Sequence, residues 1–175
     1  MGTTIRRPTD KEYASFYAGY VALVPEGDLL QSLEQQMRDT QARLRPIGEE
    51  KSMFRYAADK WSVREVVGHM ADSERVFTYR ALRFARGDAT PLPGYDEKAW
   101  GEASNAHNRT LSSLLDDFQT LRAATLSLFR GFSEAAWGRA GTANNVTITV
   151  RALGYIVAGH ERHHVRILKE RYLIP

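Results

Sequence analysis

Three of the five histidines in the chain fall within six residues, GHERHH at positions 159–164. Imidazole is the commonest protein ligand for transition metals. The chain has no cysteine, which excludes disulfides, thiolate metal sites and a cysteine nucleophile. Any metal would rest on His, Asp, Glu or water. On a helix, His160 and His164 stand one turn apart on the same face. Val150, Leu153, Val157, His160, His164, Ile167 and Arg171 follow at spacings of three and four, a stripe that turns both imidazoles toward a bundle interior. His163, ~60° from His160 at ~100° per residue, falls on the flank of that stripe. Two inward imidazoles one turn apart can reach a single metal ion. Basic residues near a helix C-terminus also interact well with the macrodipole. Yet two successive interior positions given to His would each need a partner once desolvated.

A metal would need a third ligand. His69, in VVGHMADSE, lies at the edge of the stripe Val66, Met70, Phe77 and Phe84, and taken by itself reads as a boundary histidine bonded to a carboxylate rather than a ligand. Asp72, one turn on, either orients an imidazole or a bound water or stays on a solvated face. His107, in SNAHNRT, suits a capping or surface role. GHERHH also contains H-E-x-x-H, in which Glu161 would be the general base of a zinc protease. Such proteases usually take their third ligand from downstream. The 11 residues after His164 hold neither His nor Asp, and Glu170 is too close along the same helix. The protease reading is set aside, leaving Glu161 and Asp72 as candidate bases for another metal-assisted reaction.

The elements that must position these residues are four helical stretches. The first covers residues 28–44, with Leu30, Leu33, Met37, Thr40 and Leu44 on one face. The second opens at Ser62, where S-V-R-E forms a capping box with Glu65, and runs to Arg86 before Gly87-Asp88. The third covers 109–130, with Leu111, Leu114, Leu115, Phe118, Leu121, Leu128 and Phe129. The fourth starts at Thr149 and continues almost to the C-terminus. The segment GDATPLPGYDEKAWGEASNAH between the second and third is long enough to cross the length of a bundle, so those two helices can run parallel. A short helix at 10–21 and turns near 96–100 and 133–137 are expected additions. Only NNVTITV alternates like a strand, and it is short. The expectation is an all-α four-helix bundle in one domain, 1–175, with a core over 28–172 and residues 1–27 packed on it.

The composition, 43% hydrophobic and 26% charged, is that of a globular protein. Net charge is +3, but Lys and Arg alternate with acids and no basic run interleaves with aromatics, so no nucleic-acid partner is expected. No apolar run approaches ~18 residues, which argues against a membrane span. The opening MGTTIRRPTDKEY lacks the apolar stretch of a signal peptide, making the cytoplasm the expected compartment.

Three segments, WSVREVVGHMADSERV at 61–76, RGDATPLPGYDE at 86–97 and AGHERHH at 158–164, resemble the DinB/YfiT-like superfamily of metal-dependent bundle proteins. The resemblance covers most of the chain from the first helix onward. It implies an up-down-down-up bundle and a divalent metal, zinc or nickel, held by one His of the second helix and two of the fourth: here His69, His160 and His164. It also implies a homodimer, with water in the open coordination positions. Some members resemble thiol-dependent S-transferases using bacillithiol, mycothiol or glutathione, and a related branch isomerises maleylpyruvate. The leading expectation is a transferase with a low-molecular-weight thiol as co-substrate. The alternatives are a metal-dependent hydrolase on the same site and a stress-associated metal-binding dimer. A closed four-ligand centre would mark the last, and an open centre beneath a pocket the enzymes.

Overall fold

The structure, a computed structural model, describes residues 5–174. Residues 1–4 of the expected N-terminal extension and Pro175 lie outside it. In chain order the elements are α1 (Ala18–Ala22), α2 (Leu29–Leu44), α3 (Glu49–Ser52), α4 (Val63–Ala85), α5 (Glu97–Ala103), α6 (Leu111–Arg130), α7 (Glu134–Gly138), β1 (Ala140–Ala143), β2 (Val146–Thr149) and α8 (Val150–Arg171). The long helices α2, α4, α6 and α8 form the bundle. Each begins at a capping side chain: Asp28, Ser62, Thr110 and Thr149 accept from the backbone amides of Gln31, Glu65, Ser113 and Ala152. Such a cap contributes about 1 kcal/mol. At Ser62 the box is reciprocal, as the S-V-R-E spacing predicts. Gly87, at φ +79°, turns the chain out of α4, a conformation glycine adopts without steric cost.

Hydrogen bonds between helices fix their directions. Gln41 donates to the Leu115 carbonyl at 2.7 Å and Arg122 to the Leu33 carbonyl at 2.9 Å, so α2 and α6 are antiparallel. Arg64 reaches the His107 carbonyl at 3.2 Å and Arg122 reaches Glu74 at 2.9 Å, so α4 and α6 run parallel. The Tyr172 hydroxyl donates to the Trp61 carbonyl at 2.6 Å, while Phe77 meets His160, making α8 antiparallel to α4. Leu29 packs at Gly154 and Thr40 bonds Glu161, which aligns α8 with α2. The order is up-down-down-up. The parallel pair requires the long crossover, which carries α5 and is stitched to the hairpin where Leu92 exchanges backbone bonds with Thr142 and Asn144.

The apolar core is in two parts. One contains Leu33, Phe77, Phe84, Phe129, Trp137 and Leu153. The other contains Met37, Val66, Met70, Leu115, Phe118 and Leu168. Every long helix passes from one part to the other, and at the change it carries buried polar residues: Gln36 and Thr40, His69 and Glu74, Arg122 and Thr125, His160 and Glu161. The bundle therefore has a polar layer at mid-height.

Two local expectations change. Residues 10–21 do not form one helix; two 3-10 turns, Asp10–Glu12 and Ser15–Tyr17, lead into α1. So short a helix is marginal alone, and tertiary contacts decide its shape. Glu12 pairs with Arg151 of α8, and Arg7 caps the Val21 and Val24 carbonyls. The segment NNVTITV contributes β2 to an antiparallel hairpin with β1, an addition to an otherwise helical chain. Asn144 and Asn145, at φ 52° and 62°, supply the two left-handed positions of a tight hairpin turn.

Candidate metal centre

The capping box at Ser62 fixes the start of α4 two turns before His69. The Tyr172–Trp61 hydrogen bond then ties that end of α4 to the end of α8. The antiparallel pair brings three imidazoles together across 91 residues of sequence. His160 Nε2 lies 3.1 Å from His69 Nε2 and 3.1 Å from His164 Nε2. Among the described residues, these three are the group of potential ligands whose donor atoms gather within 4.8 Å of one another. Three nitrogens at Zn–N bonds of ~2.0–2.1 Å in a tetrahedral site stand ~3.3 Å apart, so the spacing fits one divalent ion with a coordination position left over. The donor chemistry fits as well. A neutral imidazole offers one lone pair, and three ring nitrogens aimed at one point repel unless a cation or proton lies between them.

Burial holds the three rings neutral. It pushes the His69 imidazole down to about 4, helped by His163. It holds His160 and His164 well below the ordinary value, with neighbouring imidazoles adding to the effect. Neutral rings are the form that ligates metal. Aromatic rings pack round the cluster: Trp61 lies against His69 at 4.6 Å between centroids, Tyr20 against His160 at 5.4 Å and Phe77 against His160 at 5.8 Å. On the far side His160 opens into a cavity of about 420 Å³ walled by Tyr17, Tyr20, Phe77, Arg80, Tyr95 and Glu97, with Phe16 at its rim. Burial raises the phenols of Tyr17, Tyr20 and Tyr95, which therefore stay protonated and able to donate.

Tyr20 reaches this place because residue 159 is glycine. A Cβ there would meet the Tyr20 carbonyl oxygen at 2.0 Å, a backbone atom that cannot swing aside. Gly159→Ala is expected to push α1 off α8 at a cost of about 1–3 kcal/mol. At ~2–4 °C per kcal/mol for a chain of this size the melting temperature drops by roughly 2–12 °C. Metal already bound should be stripped faster by a chelator, because Tyr20 no longer covers His160. A variant matching wild type in both measurements would refute this role for α1.

The remaining sequence candidates lie elsewhere. His163 is on the flank, against Tyr20 at 5.3 Å, and His107 is exposed in a 3-10 turn. Glu161 is not available as a base. One residue past His160, ~100° round the helix, it accepts from Thr40 at 2.7 Å, from Arg122 at 2.8 Å and from Gln36, inside the bundle. Asp72 is turned toward Arg75, at 3.2 Å, and lines a separate apolar groove with Tyr79, Leu92 and Trp100. Burial there pushes its carboxyl up. Neither carboxylate joins the imidazole cluster. The sequence reading missed the buried triad of Arg122 with Glu74 and Glu161, 1%, 3% and 2% exposed respectively as side chains. Arg80, 4% exposed, escaped it as well. The signal was present: Met70, Glu74, Phe77, Arg80 and Phe84 keep one spacing of three and four, as do Phe118, Arg122, Thr125 and Phe129. Charges on an apolar stripe are the mark of a buried polar layer.

Bundle direction and histidine cluster together define a class, up-down-down-up helical proteins with a three-imidazole centre in the polar layer. The chain belongs to the DinB superfamily, whose family model matches residues 32–168. It is 34% identical over 76 residues to a Bacillus subtilis (strain 168) protein named "Putative metal-dependent hydrolase YfiT". That stretch covers 43% of this chain and 42% of the relative, less than half of either. The fold matches the solved structure of YfiT from Bacillus subtilis, described as a probable metal-dependent hydrolase with an unusual four-helix bundle topology. The TM-score is 0.72 at 21% identity, over 97% of this chain and 95% of that one. No helix among the described residues is long and apolar enough to cross a membrane.

Proposed function

We propose that the protein is a metal-dependent enzyme in which His69, His160 and His164 hold one zinc or nickel ion, and that its nucleophile is a small thiol. The observation that supports this most directly is the convergence of three neutral imidazoles beneath a cavity, with Glu161 and Asp72 both bonded elsewhere. When bound, the divalent cation supplies Lewis acidity that brings the pKa of a thiol or water in its open position toward neutrality. A thiol then needs no protein base, which suits a centre where Glu161 and Asp72 are both bonded elsewhere. The residues of the chain do the rest. The imidazoles fix the open position, and Trp61, Tyr20 and Phe77 keep bulk water from the cluster.

The test uses cobalt-loaded protein. Adding 2-mercaptoethanol should produce a near-ultraviolet charge-transfer band with release of a proton, and His164→Ala should show neither. A spectrum indifferent to thiols would sink this reading. A second reading has its own support, the hydrolase name carried by the Bacillus subtilis relative. Turnover of an activated ester by the zinc form with no thiol present would favour it.

A further inference from the structure

Arg122 and Arg80 are the two buried arginines of the bundle, 1% and 4% exposed. Arg122 has two carboxylates on it, Glu74 at 2.6 Å and Glu161 at 2.8 Å. Arg80 has none: its guanidinium donates to the Pro93 carbonyl at 2.8 Å and to the Tyr17 hydroxyl, and it forms no ion pair with a carboxylate among the described residues. Withdrawing a guanidinium from water without a counter-ion is unfavourable by several kcal/mol. A chain keeps such a group where something outside the chain balances it. We propose that the cavity beside His160 binds a small carboxylate-bearing molecule, with the carboxylate on Arg80 and the reacting end at the imidazole cluster.

Arg80 and His160 line the same cavity of about 420 Å³, a size ordinary for a small-ligand site. Both belong to its lining, on different helices. Phe77 touches His160, and Arg80 is three residues further along α4, about 4.5 Å of helix axis. An occupant therefore presents a charged end and a reactive end separated by an apolar stretch over Phe77. The polar groups round the charged end are the guanidinium, the Tyr17 hydroxyl bonded to it and the Tyr95 hydroxyl, which meets the Ser73 hydroxyl at 2.9 Å. Of the acids lining the cavity, Asp96 is committed to capping α5 through the Lys98 and Ala99 amides. Glu97 is exposed. One buried cation with a planar fork of donors matches a carboxylate, which accepts two parallel N–H bonds. A phosphate dianion would leave a charge uncompensated.

This inference rests on the reading that chemistry occurs at the His69/His160/His164 end, and the test separates the two. The probes are 6-mercaptohexanoate and 6-mercaptohexanamide, which share a thiol and a chain length and differ in charge. Each is titrated by calorimetry into the metal-loaded full chain, with the cobalt spectrum followed in parallel. In wild type the acid should bind at least ~10-fold more tightly than the amide, the scale of a charge-assisted bidentate pair. Arg80→Gln should bring the two within ~2-fold, with metal content unchanged, while Arg80→Lys restores part of the preference. Equal affinities in wild type, or a preference surviving in Arg80→Gln, would overturn the proposal. Should neither variant fold, the wild-type comparison of acid with amide decides alone. If the acid binds through Arg80 with no change in the cobalt spectrum, the anchor stands and the thiol reading falls. Tighter binding of inorganic phosphate than of hexanoate would overturn the choice of carboxylate.

Discussion

Replacement of His160 by alanine is expected to take bound zinc from about one ion per chain to background, with affinity lower by at least ~100-fold. Loss of an outer-shell partner alone typically costs 10–100-fold, and His160 is the nitrogen that lies 3.1 Å from both others. His69→Ala and His164→Ala should act similarly. His163→Ala, which removes a ring from the flank, should leave zinc content within measurement error. The loss has a thermodynamic echo. Metal at 1,000 times its dissociation constant stabilises the folded state by about 4 kcal/mol. Zinc should therefore raise the melting temperature of wild type and of His163→Ala, and leave the other three variants unmoved. Metal analysis by mass spectrometry with thermal melts checks both. Zinc retained by His160→Ala, or lost equally from His163→Ala, would mean that the ion lies elsewhere.

Arg122→Leu is expected to be the most destabilising single change outside the histidines. It strands Glu74 and Glu161 as buried carboxylates facing each other across the space the guanidinium filled. It also removes the donor to the Leu33 carbonyl that joins α6 to α2. Breaking a buried ion network by removing one partner costs about 3–5 kcal/mol. For a chain of this size that lowers the melting temperature by roughly 6–20 °C. Adding Glu74→Gln and Glu161→Gln to the same background should restore much of the loss, since the stranded charges are then gone. A melting point within ~2 °C of wild type for Arg122→Leu would show the network to be dispensable.

These two predictions differ in how far the sequence alone could reach them. The histidine pair is local: a spacing of four on one helix can be read from GHERHH without knowing what faces it. The four long helices are local too, since Asp28, Ser62, Thr110 and Thr149 announce their starts within a few residues. His69 is different. Alone it was an ordinary boundary histidine, and only the antiparallel docking of α4 on α8 shows what it meets. The places of the candidates Glu161 and Asp72, both bonded away from the imidazoles, were hidden for the same reason, because proximity in sequence to a ligand says nothing about a rotation of 60–100° round the helix. Residues 152–161 of α8 are buried on all sides by α1, α2, α4 and α7. A two-faced wheel therefore could not distinguish the cavity side, where His160 lies, from the bundle side, where Glu161 lies. The partner strand AGTA carried no alternation of its own and pairs only because the Asn144-Asn145 turn folds it back.

The order up-down-down-up has a consequence for the moment of synthesis. Of the four bundle helices α2 is made first, and in the finished bundle it is flanked by α6 and α8, the two made last of the four. Until α8 is complete, His69 has no second nitrogen beside it, Glu161 is missing from Arg122, and Gln36 and Thr40 have nothing to bond in the middle layer. The growing chain thus carries an exposed half-polar, half-apolar surface for most of its translation. Contacts as distant as His69 with His160 form late, which slows folding relative to a bundle of sequential hairpins. Metal capture can only follow the closing step. A product lacking α8 would have only one of the three imidazoles and an incomplete polar layer, so a metal-loaded molecule would report a chain translated through α8.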